Sequence, residues 1–403
     1  MICNSAELAG IPWETIIKVY RKQLDAKRFD TLPEYAENFI GYLQQVFASQ
    51  LDAEDQARAM LTLSTDLTGY VLQQVTDSWQ SNSPPAGANL NVVANAEMRG
   101  QFLPSLLDKF HSTPAIASTT HYTLANFDSE YGTIIRKYLT TWVQQNHGSD
   151  IILEDETIAA IIELTHAYGQ NEAQFDASGS WSGLVTAGFG EKDIFPQLLS
   201  FRVGPVFGGI IRAVPERQVK ISSTQPSAIE PFAQSDVIKT FWEGIDPFMA
   251  SAAVESMAGV VDDTVKFIIE VLPEADQPKV KQWLSDSRPE ILKELTSRLQ
   301  KVAQTKNRQP MLDAVSTLSK EDLADMAESL ISLTYLKRRA SFSSESVGGP
   351  VDVAVITKGE GLIWLKRKQY FRPELNLNYL SGILNPVRTL SHPTPDSHES
   401  PAI

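Results

Sequence analysis

The stretch from Ser319 to Arg367 constrains the fold more than any other part of the chain, because helix and strand signals follow one another in it. Ser319 is a helix-capping residue, and Lys337-Arg338-Arg339 falls in the last turn, where cations suit the helix dipole. Beyond a Gly348-Gly349 bend, two runs of β-forming residues flank a turn at Lys358-Gly359-Glu360-Gly361. The stretch therefore predicts a helix followed by a β-hairpin.

Composition and charge restrict the class of protein. The 403 residues are 42% hydrophobic, enough for a large core and for more than one lobe. A formal net charge of -14 argues against sequence-independent binding to nucleic acid, because such binding needs clustered Lys and Arg. The apolar runs are far shorter than a membrane span, and the first residues lack the pattern of a signal peptide. We therefore expect a cytoplasmic protein that binds neither nucleic acid nor membrane.

Neither the single cysteine nor the six histidines predict a bound metal. Cys3 alone cannot form an internal disulfide or a multi-cysteine zinc site, and the histidines lack metal-ligand spacing. Gly188-Phe189-Gly190 follows a predicted strand, but a second strand comes next instead of a helix. A bend is therefore favoured over a phosphate cradle. We expect no metal and no cofactor.

The first part of the chain is predicted to be mostly helical. Amphipathic spacing predicts helices over most of the first 80 residues, with a break near Thr68-Gly69. A Ser/Pro/Gly/Asn linker follows at 81–89. Beyond it, helical patterns continue to about Tyr168, and we interpret this segment as an insertion. At the other end, Pro386–Ile403 is rich in Pro, Ser, Thr and His, which predicts disorder.

Strand signals concentrate in the middle of the chain, and helix signals return after them. The predicted strands occupy 181–187, 197–203, 208–214 and 219–223. A helix is predicted from Ser235 to about Val271, interrupted at Gly244-Ile245-Asp246-Pro247 because proline restricts the residue before it. Two more helices are predicted at 277–300 and near Met311.

Four segments, taken in order, resemble proteasome-type N-terminal-nucleophile hydrolases. The start, Met1–Glu7 with the Trp13 helix, is similar to the family's early strand and first long helix. Residues 183–198 resemble its mid-domain hairpin, and residues 229–236 resemble a later strand that turns into the third helix. The Ser319–Arg367 stretch resembles the last helix and the final two strands. The four segments cover about a third of the chain.

The resemblance implies an α+β fold: a four-layer αββα sandwich with large helical insertions, whose first two strands are absent from this chain. Without the first two strands, the sheet has an open edge and apolar surface between the layers is exposed. We therefore expect a homo-oligomer, or a partner protein that covers this edge. The implied divisions are core segments at 1–80, 179–250 and 319–370, helical insertions at 81–178 and 251–318, and a tail at 371–403.

The chemistry implied by the resemblance depends on residues that this chain lacks or replaces. In the family, the nucleophile is the first residue of the processed chain, a Thr, Ser or Cys whose free α-amine serves as base. A lysine on an early strand lowers its pKa. Both precede the strand that Met1–Asn4 resembles. Before the Gly-Gly pair, active members carry an Asp and a Ser where this chain has Ser344 and Val347. We therefore expect this chain to be inactive.

Two residues of the chain are candidates for a catalytic role. Ser235 matches a helping Ser at the start of the family's third helix, although an ordinary N-cap with Asp236 in the first turn is the favoured interpretation. Cys3 as nucleophile requires removal of Met1 and Ile2. A buried cysteine at a strand end is the favoured interpretation there.

Three functions are consistent with the sequence. The first is a peptidase or amidohydrolase with a Thr, Ser or Cys nucleophile, whose catalytic start lies upstream of Met1. The second is a non-catalytic assembly or protein-binding subunit with the same fold, which Ser344 and Val347 favour. The third is a mostly helical interaction protein unrelated to this fold.

Overall fold

The computed structural model describes residues 2–3, 6–48, 51–81, 84, 87–147, 151–175, 181–232, 235–273, 277–340, 351–367 and 375. Within them helices predominate and the strands form small antiparallel sheets, so the α+β class is as predicted. The chain divides into two compact units. Unit 1 comprises Met1–Ser235 with Arg308–Ser316, and unit 2 comprises Asp236–Asn307 with Thr317–Ile403.

Helices and strands follow the predicted order over most of the chain. The strands are β1 (Ile2–Cys3), β2 (Glu7–Leu8), β3 (Ile11–Pro12), β4 (Ser182–Gly188), β5 (Gln197–Phe207), β6 (Ile210–Lys220), β7 (Val353–Thr357) and β8 (Gly361–Lys366). The helices are α1 (Trp13–Leu24), α2 (Leu32–Tyr42), α3 (Ala53–Ser81), α4 (Leu90–Glu97), α5 (Leu103–His111), α6 (Leu124–Phe127), α7 (Thr133–His147), α8 (Asp155–Gln170), α9 (Asp236–Glu243), α10 (Pro247–Val271), α11 (Gln277–Ala303), α12 (Gln309–Val315) and α13 (Lys320–Ala340).

Local chemistry explains one predicted helix boundary and overturns another. The interruption between α9 and α10 is confirmed: Gly244 has φ +74°, and the Asp246 carboxylate caps α10 by accepting from the Phe248 N–H at 2.9 Å. The break predicted near Thr68-Gly69 is wrong. α3 runs unbroken from Ala53 to Ser81, and the buried Thr68 hydroxyl is satisfied within it by donating to the Ser64 carbonyl one turn back, at 2.7 Å.

A four-stranded antiparallel sheet in the order β1-β4-β5-β6 lies in unit 1. The two strands predicted at 208–214 and 219–223 are one strand, β6. The register places Ser200 opposite Arg217 and Phe201 opposite Pro215, so Glu216 is an extra residue in a β-bulge. Proline cannot donate to the ladder, and the bulge lets pairing continue past it. This explains why the sequence pattern predicted that the strand ends before Pro215.

The described residues of unit 1 include two clusters of buried apolar side chains. One joins α1 and α2 to the sheet and includes Trp13, Phe39 and Val203. The larger one is mainly helical and joins α3 to the segment that ends with α8. Segment 81–178, predicted to be an insertion, therefore shares its core with α3.

Unit 2 contains the helix and hairpin predicted from the Ser319–Arg367 stretch. Strands β7 and β8 pair antiparallel, and Lys320 at the start of α13 forms a 2.7 Å ion pair with Glu360 in the hairpin turn. Among the described residues, β7 and β8 form a two-stranded sheet of their own. The unit boundary at Ser235 also falls inside the predicted core segment 179–250. The four-layer sandwich therefore stays a prediction.

Candidate functional site

The two candidate catalytic residues lie at element ends in unit 1. Cys3 is in β1, paired with Gly183 of β4. Ser235 is half-buried and directly precedes α9, the place expected for a helix-start residue. Ser344, Val347 and the predicted tail from 386 lie outside the described residues.

A cavity of about 250 Å³ opens in unit 1 beside the β2–β3 turn. Ser235 is not among its described lining residues. Its charged lining residues are Glu7, Asp55 and Arg58, and the last two form an exposed pair at 3.8 Å on one face of α3. The Ser182 hydroxyl accepts from Trp13 Nε1 at 2.9 Å and donates to the Glu7 carbonyl at 3.2 Å. That hydroxyl joins α1 to the sheet, and we infer a structural role for it.

A pair of tyrosines fixes the β5–β6 turn on the helical core. The Tyr131 hydroxyl donates to Glu130 Oε1 at 2.7 Å and accepts from the Gly208 N–H at 2.7 Å. Tyr122 donates to the other oxygen of Glu130. Burial, with the neighbouring carboxylate, raises the pKa of Tyr122 and of Tyr131 above the ordinary value. Both phenols are therefore neutral donors, unsuited to act as bases near neutral pH.

Arg212 is a fully buried cation that sequence analysis did not single out. Its Nε donates to the Tyr168 carbonyl at 3.0 Å, and its Nη2 donates to the Asn171 and Ala173 carbonyls at 2.6 Å each. These carbonyls lie at and beyond the C-terminus of α8, where helix carbonyls lack intrahelical partners. Burial lowers the pKa of the Arg212 guanidinium. The residue ties β6 to α8 and has a structural role.

The α10–α11 pair in unit 2 has almost no core. The two helices have 25 and 27 residues, so they are about 37 and 40 Å long. Arg288 of α11 binds Asp262 of α10 through Nε at 2.9 Å and Nη2 at 3.0 Å. Ala258 and Val265 are buried in α10, and no described side chain of α11 is buried. Helices of this length ordinarily bury a whole apolar stripe.

One face of α10, which we call the α10 strip, carries exposed apolar side chains from end to end. Val260, Phe267 and Val271 are 66%, 67% and 70% exposed. Ala258 and Val265 lie on a different side of the helix, so α10 is apolar on two faces and only one of them is covered. The large side chains of the strip are Met249, Met257, Val260, Phe267, Ile268 and Val271.

A shallow groove of about 550 Å³ runs along α11. Trp283, which is 55% exposed, lies at one end, and Ile291 and Leu295 form its apolar floor. Glu294 and Arg298 flank the groove and pair with each other at 2.7 Å. Apolar patches rimmed by paired charges in this way mark protein interaction sites.

The α10 strip was missed because the sequence interpretation stopped at assigning a helix. The signal was present in the spacing. A surface helix needs one apolar stripe about 100° wide, whereas α10 has a second one that includes Val260 and Phe267. Counting apolar residues on each helix face separately finds it.

Comparison with protein-family models, with curated proteins and with solved structures found no match to this chain. Within the described ranges, no group of three or more His, Cys, Asp and Glu side chains is arranged to hold a metal ion. No helix in the same ranges combines the length and apolar character that crossing a bilayer requires. The site is therefore interpreted from its own geometry.

Proposed function

We propose that this chain is a non-catalytic assembly or protein-binding subunit that docks through the α10–α11 pair. The observation that carries the proposal is the α10 strip. Two long helices bury little against each other, and the strip faces solvent along the whole length of α10. Covering apolar side chains of this size stabilises by about 1.5–3 kcal/mol for each one fully buried.

The charges around the strip favour a protein partner over a lipid surface. A helix that lies on a membrane carries Lys and Arg along its polar face. In α10, Lys266 is the only basic residue, and it is paired with Asp263 at 3.3 Å. The remaining charged residues of α10 are Glu255, Asp262 and Glu270. An acidic helix of this kind is repelled by anionic lipid and suits a protein surface.

Site-specific photo-cross-linking tests the proposal. With p-benzoylphenylalanine in place of Phe267, we expect irradiation of cells to give a discrete cross-linked species between polypeptide chains, because the ring faces the partner. The same photoreactive residue at Ser251, exposed on α10 but off the strip, is the matched control and gives little cross-linking. Equal cross-linking at both positions, or none at Phe267 between chains, contradicts the proposal.

A second candidate function is the peptidase or amidohydrolase implied by the resemblance, with the four-layer sandwich as its fold. The order of the four resembling segments supports it. Translation of the DNA upstream of Met1 tests this. A continuing frame of about 40–50 residues with a Thr, Ser or Cys near its start supports the hydrolase, and an immediate stop codon contradicts it.

A further inference from the structure

The α10 strip is self-complementary about its midpoint when two copies of the helix run antiparallel. Val260 lies midway between Met249 and Val271, which are at the two ends of the strip. When two copies of α10 run antiparallel with Val260 facing Val260, Met249 of each copy faces Val271 of the other. An apolar side chain then meets an apolar side chain at the centre and at both ends.

Side-chain sizes also alternate in the way that antiparallel packing requires. Ala253 and Phe267 are equally far from Val260 on opposite sides, so the smallest residue of the strip receives the largest. Interiors pack densely only when large groups meet small ones. A parallel pair instead places Phe267 against Phe267 and Ala253 against Ala253, which gives a clash and a void.

The polar residues within the strip bring no unsatisfied groups into such a contact. Ser256 and Thr264 face each other across the midpoint. Their hydroxyls donate within the helix, Ser256 to the Ala252 carbonyl and Thr264 to the Val260 carbonyl, at 2.7 Å each. A buried hydroxyl that keeps its hydrogen bond carries little desolvation penalty. These two positions therefore tolerate burial.

We propose that a second copy of this chain occupies the α10 strip, docked antiparallel about a twofold axis at Val260. This inference rests on the assembly function proposed above and names its partner. Two α10–α11 pairs joined in this way form a four-helix arrangement, and the isologous contact closes as a dimer. A strip about 33 Å long on each copy buries on the order of 1,200 Å² in total, which reaches the range of specific interfaces.

Distances between spin labels test the register directly. In a Cys3→Ser background, labels at Val260→Cys are expected within about 20 Å of each other, because they flank the twofold axis. Labels at Val271→Cys are expected about 33 Å apart, because the two chains run in opposite directions from the axis. Short distances at both positions indicate a parallel pair and overturn the proposal, as does the absence of a dipolar signal at both.

Charge at the axis gives a second test. Val260→Glu places two carboxylates face to face, and we expect the dimer dissociation constant to rise roughly 100-fold or more. Light scattering then shows the mass of one chain where the wild type shows two. Ser251→Glu adds the same charge off the strip and is expected to leave the dimer intact. Equal dissociation constants for the two variants overturn the proposal.

Dimer formation and binding to a partner protein are distinguished by combining the two experiments. If the wild type is a monomer while the photoreactive residue at position 267 still cross-links to another polypeptide, the second-copy inference is wrong and the binding function stands. If the wild type is a monomer and position 267 gives no cross-link between chains, both are wrong.

Discussion

Replacing Arg212 with alanine is expected to lower the free energy of unfolding of unit 1 by about 3–5 kcal/mol. The guanidinium donates three hydrogen bonds to backbone carbonyls and lies over the Tyr168 ring, 4.3 Å from its centre. Alanine leaves those carbonyls buried without donors and leaves a cavity where the side chain was. Both effects act on the contact between β6 and α8. Chemical denaturation followed by circular dichroism measures the loss.

Arg217→Ala is the matched control for this measurement. Arg217 is on the same strand but exposed, and it pairs with Glu230, whose side chain is 17% exposed. A pair that is partly open to solvent contributes about 1 kcal/mol, so this variant is expected to lose far less stability than Arg212→Ala. If Arg212→Ala were no less stable than Arg217→Ala, the assignment of Arg212 as the tie between β6 and α8 would be wrong.

Replacing Gly190 with alanine is expected to destabilise unit 1 by about 3 kcal/mol, because a side chain there meets backbone. A Cβ at this position lies 2.3 Å from the Thr31 Cα and 2.4 Å from the Asp30 carbonyl oxygen. Backbone cannot swing aside as a flexible side chain can. The loop must therefore move away from the α1–α2 connection, where Lys192 N–H donates to the Asp30 carbonyl at 2.8 Å.

The same displacement breaks the contacts of Asp193. Burial disfavours its charged form, but hydrogen bonds from the Gly190 N–H, the Leu32 N–H and Gln197 outweigh this and hold the pKa of Asp193 below its ordinary value. Gly41→Ala serves as the control, since nothing lies within 4 Å of its added Cβ in α2. Helix propensity predicts a gain of about 0.5–1 kcal/mol for that change. Similar unfolding curves for the two variants contradict the close approach at Gly190.

Sequence reasoning succeeded where the signal is local. The α13 helix with its hairpin, the α9–α10 interruption and the bend after β4 each depend on a few adjacent residues, such as Gly244 and Asp246. It failed where a distant contact decides the outcome. Thr68-Gly69 looks like a helix break in the sequence, but the neighbouring Leu67 and Val71 are buried in the larger core and α3 runs through. Pro215 looks like a strand end, but pairing with β5 continues past it through the bulge. Both depend on geometry beyond a short window.

The candidate site shows the same contrast between local signals and long-range contacts. Ser235 and Cys3 were singled out by resemblance to a family. A resemblance gives the position of a residue in the chain but does not predict which side chains surround it. Arg212 was missed because the three carbonyls that accept its hydrogen bonds lie about 40 residues earlier in the chain. A local sequence pattern does not show that these groups come together. The α10 strip lay within reach of sequence reasoning, since Val260 and Phe267 share a face that Val265 does not. That no described element covers it was visible only in the structure.

The claim that the α10 strip is a protein interface is tested most directly by thiol labelling at its midpoint. In a Cys3→Ser background, Val260→Cys places a thiol on the strip, and Ser251→Cys places one at an exposed position of the same helix off the strip. We predict that the thiol at position 260 of the native protein reacts with a maleimide at least about tenfold more slowly than the thiol at 251, and equally fast after denaturation. Equal rates in the native protein at every concentration would contradict the claim.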